Sequence, residues 1–332
     1  MSPADLPTAR DPRAEAAARL ADGSVGLVLE PSPPFDDRDP AYRADDPVDP
    51  TGLDGDVVSP VGTGTRTWDD VVAERPELEA FAHDRWLTGG RALGRRVPDG
   101  YHDGRLALHR LAVYVLSPVR MDTIGKMALR RTHHGFGTPF FGSDDRQARV
   151  EDGRIVDQRR DQVTVHDSTT LRAAADALDV ELDLSLADSF DIPAAGSPDD
   201  GLEVTAEVST FLADWYGFAT RALETVRAVV DPADTPSRVQ LWPEHFDPAF
   251  DAGDDAAGRR AGFGASPGDH HDGGDPEPYL WVGPWVKDGL ADDPFWNVEF
   301  GAKLAFAELA ATADPAAEAA AFFGTARRLM AG

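Results

Sequence analysis

The chain of 332 residues has no cysteine, only three lysines, four methionines and no long apolar run. Without cysteine there are no disulfides, zinc–thiolate sites, cysteine-held iron–sulfur clusters or thiol nucleophiles. A membrane-spanning helix needs roughly 18–20 apolar residues. The run "LAVYVL" at 111–116 is among the longest here, so no membrane partner is expected. The start "MSPADLPTARDPRAEAAARLADG" lacks the basic and apolar regions of a secretory signal. That makes a cytoplasmic location the expectation.

The lysines (Lys126, Lys287 and Lys303) stand beside 29 arginines and 59 acids, 44 of them aspartate, for a net charge of −27. GC-rich coding explains arginine in place of lysine but not the excess of acid. A high-salt cytoplasm would explain that excess, because a Debye length near 3 Å at about 1 M screens self-repulsion. Halophily and ordinary bacterial acidity are the two alternatives. In either case the charge repels a phosphate backbone and no basic cluster offsets it, so no nucleic-acid partner is expected.

The length fits one large domain or two small ones, each with a core. Residues 1–65 are rich in Pro and Asp and read as an extended N-terminal arm. Helical segments follow from Val71 to Leu93, interrupted at Pro76 and at Gly89–Gly90. "RLALHRLAVYVLSP" (105–118) reads as a strand, and "MALRRTHHGFGTPFFG" contains another. "ARVEDGRIVDQ" carries the Asp-Gly cue of a hairpin. "VTVHDSTTLRAAADALDVEL" reads as a strand, a Ser/Thr/Asp cap and a helix. The last helix is expected from Pro315, with Asp314 as its N-cap, to about Met330.

Four features recur in the same order in both halves. They are "RAL" at 91–93 and 221–223, Leu-X-Pro at 116–118 and 241–243, Gly-Phe-Gly at 135–137 and 262–264, and segment 163–178 against 296–311. The expectation is an α+β chain of two similar antiparallel-sheet units with flanking helices, 66–190 and 200–332, related by duplication. The Pro-rich stretch 191–203 would divide them.

Several motif matches fail on chemistry. "GASPG" (264–268) matches a nucleophile elbow, but Pro267 follows Ser266 and has no N–H for an oxyanion hole. Gly125-Lys126 lacks the earlier glycine and the Ser/Thr of a P-loop. There is no His-Glu-x-x-His, and "DHHDGGD" spaces its acids unlike an EF-hand loop. The sequence identifies no cofactor.

The remaining candidates lie in "LWPEHFDPAF" (241–250) and "GFGASPGDHHDGGDPEPYLWVGPW" (262–285). If a strand ends at Pro243, His245 and Asp247 project the same way, and a carboxylate beside an imidazole is an acid/base pair. Asp269, His270, His271, Asp272 and Glu277 offer metal ligands or a further acid/base partner. Trp242, Tyr279, Trp281 and Trp285 could wall a pocket. His245 and Asp247 are therefore the candidate catalytic residues, and Trp242, Asp269, Glu277 and Tyr279 the candidate ligand-binding residues. The occupant would be a small molecule or a protein. The competing reading is structural: a turn at Pro243, a solvated loop at 269–275 and a proline-bounded edge strand at 276–285. The function classes left open are ligand binding, metal-assisted or acid/base catalysis, and a structural protein without ligand.

These same segments, followed by a C-terminal helix, resemble the second half of an uncharacterised bacterial family. Its members show an aromatic segment ending His-Phe-Asp or Ser-Phe-Asp, a Ser-Pro-Gly or Trp-Pro-Gly turn, and a Pro/Tyr-rich strand. The first half departs from that pattern. The resemblance implies a common fold and no particular chemistry. Serine in place of His245 in some members implies that an imidazole is not required there.

Overall fold

The computed structural model describes residues 92–331 except 95, 125–126, 133, 140, 142–145, 160–161, 228, 238, 272 and 288–292. The N-terminal arm expected over 1–65 and the helical segments read over 71–93 lie outside the described residues, except Ala92 and Leu93, which are not helical.

Residues 101–124 are helical, which corrects the strand reading of 105–118. Helix α1 (Tyr101–Leu111) passes through a π-helical turn (Ala112–Leu116) into α2 (Ser117–Ile124). The helix is buried on nearly every side around Leu108, Leu111, Tyr114 and Leu116. A segment buried all round shows no polar–apolar alternation at period 3.6, so its valines imitate a strand. The one polar stripe is Tyr101, Arg105 and His109, four residues apart and all buried.

The first sheet is a five-stranded antiparallel meander: β1 (Arg130–Thr132), β2 (Gly135–Gly137), β3 (Arg146–Glu151), β4 (Arg154–Arg159) and β5 (Gln162–Asp167). Asp152 and Gly153 turn β3 into β4 with φ of 50° and 76°. Both lie in the left-handed region that a two-residue hairpin with matching twist requires. Helix α3 (Leu171–Leu178) follows, capped by Thr170, whose Oγ1 accepts from the Ala173 N–H at 3.0 Å.

The same order recurs after the connection 179–205. Helix α4 (Ala206–Arg227) leads into β6 (Gln240–Trp242), β7 (Asp247–Ala252), β8 (Ala261–Ser266), β9 (Tyr279–Pro284) and β10 (Ala302–Ala305), again a meander. Helices α5 (Phe306–Ala311) and α6 (Pro315–Ala331) close the second unit. Asp314 Oδ1 caps α6 by accepting from the Ala317 N–H at 3.0 Å. Both units thus run helix, five antiparallel strands, helix.

The units do not keep separate cores. Leu129 and Leu241, beside the first strand of one sheet and within the first strand of the other, exchange backbone hydrogen bonds of 2.8 and 3.0 Å. This bridge sets the two meanders side by side, and α4 packs on strands of both. One hydrophobic cluster runs through Leu108, Phe136, Val150, Trp215, Phe250, Phe263 and Phe323. Joining the sheets lets one helix layer cover both inner faces.

Two sequence matches between the halves do not correspond structurally. Leu116–Pro118 is helical, whereas Leu241 and Trp242 end a strand. Gly-Phe-Gly is strand β2 in the first unit and part of β8, the third strand, in the second; neither is a turn. The glycines also serve different purposes. A Cβ at Gly135 or Gly137 would run into the β3 backbone, whereas at Gly264 it would run into the Trp281 indole. Segments 163–178 and 296–311 each contain residues of a fifth strand and the helix after it, but at their common offset helical Leu171 falls on Leu304 of β10, so the elements correspond and the residues do not.

Candidate functional site

The segment "LWPEHFD" forms the β6–β7 hairpin. Its turn, residues 243–246, closes with the Phe246 N–H donating to Trp242 O at 2.7 Å. Phe246 has φ of 56°, a costly conformation for a bulky residue. Its surroundings enforce it. The fully buried ring stacks on His109 at 4.8 Å and meets Phe136 and Tyr216 edge-on, while Tyr216 Oη donates to Phe246 O at 2.6 Å. His109 Nε2–H donates to Pro243 O at 2.9 Å. Burial pushes the His109 pKa down to about 3, so this imidazole is neutral. Helix α1 therefore holds the turn from beneath.

The turn separates the two residues expected to project together. His245 lies on the turn and is exposed, while Asp247 begins β7 and is buried. This corrects the expectation that they project the same way, and no hydrogen bond among the described residues joins them. Both nevertheless line one cavity of about 350 Å³, together with Asp191, Ser266, Asp269, His270, His271, Tyr279, Trp281 and Phe300.

The outer face of the second sheet makes the cavity wall. Gly264 lies opposite Trp281 in the β8–β9 register, and the indole lies over Gly264 and Gly262 because neither has a side chain. From there Trp281 Nε1–H donates to Asp247 Oδ2 at 2.9 Å. Four residues further along β7, and just past the end of β9, Trp285 Nε1–H donates to Asp251 Oδ1 at 3.2 Å, which fits the alternation of strand faces. Asp247 Oδ1 is buried and has no hydrogen-bond partner among the described residues. Burial raises the Asp247 pKa to about 6, against the opposing effects of the His245 charge and the Trp281 hydrogen bond.

The loop after β8 forms another side. Ser266 Oγ accepts from the Gly268 N–H at 3.0 Å, a turn-forming role and not that of a nucleophile. Helix α1 ties down the loop backbone: Tyr101 Oη donates to Pro267 O at 2.8 Å, and Arg105 donates to Gly268 O at 2.8 Å and Asp269 O at 2.6 Å. Asp269 accepts from Tyr279 Oη at 2.7 Å and from the Asp275 N–H at 2.8 Å, so both its oxygens are used within the wall. Burial and the Asp269 carboxylate push the Tyr279 hydroxyl up, keeping it protonated.

His270 and His271 follow, ring centroids 3.9 Å apart. Asp191, from the connection between the units, reaches them with Oδ1 3.4 Å from His270 Nε2 and Oδ2 3.2 Å from His271 Nε2. Burial, then the neighbouring His271, pull the His270 pKa down.

Of the six candidate residues, His245, Asp247, Asp269 and Tyr279 come together at the cavity. Trp242, on β6, and Glu277, exposed before β9, are not among its lining residues. Asp272 lies outside the described residues. β9 pairs with both β8 and β10, so "PEPYLWVGPW" carries an inner strand and not an edge. Asp191, Tyr101 and Arg105 were missed. The i, i+4, i+8 spacing of Tyr101, Arg105 and His109 would have flagged the last two once 101–111 was read as a helix. Asp191 gives no signal in the sequence, because only the fold brings it to the histidines.

Compared with known proteins, the chain matches no protein family, no curated protein and no solved structure. Among the described residues no helix is long and apolar enough to cross a membrane.

Proposed function

We propose that the protein binds a small polar molecule in the cavity at Asp247. The observation that carries this reading is the buried Asp247 carboxyl on a cavity wall, one oxygen held by the Trp281 indole and the other without a partner among the described residues. An unpaired buried oxygen costs about 1–3 kcal/mol. A ligand offering it an N–H or O–H would recover that cost. The Trp281 and Phe300 rings beside it suit an apolar body, and the volume falls at the lower end for small-molecule sites. The carboxylates of Asp191, Asp247 and Asp269 favour a neutral or cationic ligand, so amines and polyols are the classes to test.

Acid/base catalysis through the same carboxyl is the second reading. Its support is the Asp247 pKa near 6, close to the pH at which a general acid or base works best, with His245 on the same cavity. Titration of the protein with a panel of small amines and polyols, followed by the Trp281 indole N–H resonance, tests binding. A member of the panel should shift that resonance in the wild type and leave Asp247→Asn unaffected. If every compound leaves it unmoved, the binding reading fails. Turnover of a bound compound that is lost in Asp247→Asn would favour the second reading.

A further inference from the structure

The geometry points to a metal site at the cavity mouth, formed by Asp191, His270 and His271 and suited to a divalent transition ion such as Zn²⁺ or Co²⁺. One donor atom from each residue lies within 4.8 Å of the other two. The two imidazoles each turn Nε2 toward the same carboxylate, at 3.4 and 3.2 Å. A tetrahedral ion with bonds of about 2.0–2.1 Å spaces its donors about 3.3 Å apart. The two separations run to different oxygens of Asp191, so with one oxygen as ligand one of them matches an edge and the remaining donor closes in from within 4.8 Å. Two imidazoles and one carboxylate form a donor set for zinc and its first-row neighbours and a poor one for calcium or magnesium.

The surroundings fit a ligating role. Arg105 and Tyr101 fix the backbone of Pro267, Gly268 and Asp269 just before the histidines, and the Gly274 N–H donates to His271 O at 3.1 Å just after them. The two consecutive ligands are therefore held before any ion arrives, which lowers the ordering cost of binding. All three donors line the cavity. An ion with three protein ligands keeps an open position, the arrangement of catalytic rather than structural zinc. The neighbouring carboxylates of Asp247 and Asp269 add a field that attracts a cation. A His–Asp ion pair alone would bring the same side chains together, and metal uptake tells the two apart.

The site goes beyond the ligand-binding proposal and does not depend on it, because metal uptake is measured with the ion alone. Full-length protein without an affinity tag, stripped with a chelator and dialysed, would be titrated with Co²⁺ by visible absorption and with Zn²⁺ by calorimetry. One equivalent should bind, with a ligand-field spectrum showing nitrogen and oxygen donors. Asp191 and His271 are exposed, so their replacement spares the core. Asp191→Asn, His270→Ala and His271→Ala should each weaken binding at least about tenfold. His166→Ala, on the opposite edge strand β5, should leave binding unchanged. No uptake, uptake unchanged in the three variants, or uptake lost equally in His166→Ala would overturn the assignment.

Discussion

The indole N–H of Trp281 donates to the Asp247 carboxylate at 2.9 Å across a surface that two glycines leave bare. The contact depends on Gly264. An added Cβ there would fall far inside contact distance of Trp281 Cε2 and Cζ2. Gly264→Ala should therefore push the indole off Asp247 at a cost of about 1–3 kcal/mol, the usual range for overpacking. In a Trp281→Ala background the same substitution should cost almost nothing, and denaturation of all four proteins closes the cycle. Equal costs in both backgrounds would mean that the glycine serves some other contact.

Asp247 should be a residue that weakens the fold at neutral pH. Its pKa is about 6 folded and about 3.9 in an unfolded chain. Above pH 6 both states are ionised, and the folded state bears the cost of burying the charge. As pH falls from 6 toward 4 the folded carboxyl takes up a proton that the unfolded one refuses, so stability rises. Asp247→Asn keeps an oxygen for the indole and removes the charge. It should gain about 2–3 kcal/mol at pH 7.5, at 1.36 kcal/mol per pKa unit, and nothing near pH 4. Urea denaturation at both values checks this.

His109 works in the opposite sense. Its pKa is about 3 folded against about 6.5 unfolded. As pH drops below 6.5 the unfolded chain binds a proton that the folded chain refuses, and stability is lost progressively down to about pH 3. His109→Gln keeps a donor for Pro243 O and has no such titration. Its stability should depend less steeply on pH between 6.5 and 3 than that of the wild type. Parallel slopes would mean that the imidazole is protonated in place.

The net charge of −27 repels itself within a folded body. The melting temperature should rise steeply between low salt and molar KCl as screening shortens. An unchanged value would leave genomic coding bias as the account of the composition.

Much of this architecture could be read from residues that act locally. Asp152-Gly153, Thr170, Asp314 and Pro315 determine their own backbone or cap their own helix, and each lies where the sequence puts it. Helix 101–124 was misread because burial on all sides erased its periodicity, and with it went the Tyr101–Arg105–His109 stripe. The duplicated order of elements is present, yet two of the four matches that suggested it are not equivalent, so short words such as Gly-Phe-Gly are poor guides to register. At the site, segments 241–250 and 262–285 do converge. The left-handed turn at Phe246, which puts His245 outside and Asp247 inside, depends on His109, Phe136 and Tyr216 from other elements. Asp191 arrives from a loop about eighty residues before the histidines, a proximity that no local rule encodes.

The most direct test of the account follows the Trp281 indole N–H by ¹⁵N–¹H spectroscopy between pH 4 and 8, assigned by Trp281→Phe. Its hydrogen bond to Asp247 Oδ2 makes the resonance a reporter of that carboxyl. The account predicts a titration with a midpoint near 6, absent in Asp247→Asn. A midpoint near 4, the ordinary value of a solvated aspartate, would show a carboxyl open to water and contradict a desolvated site awaiting a ligand.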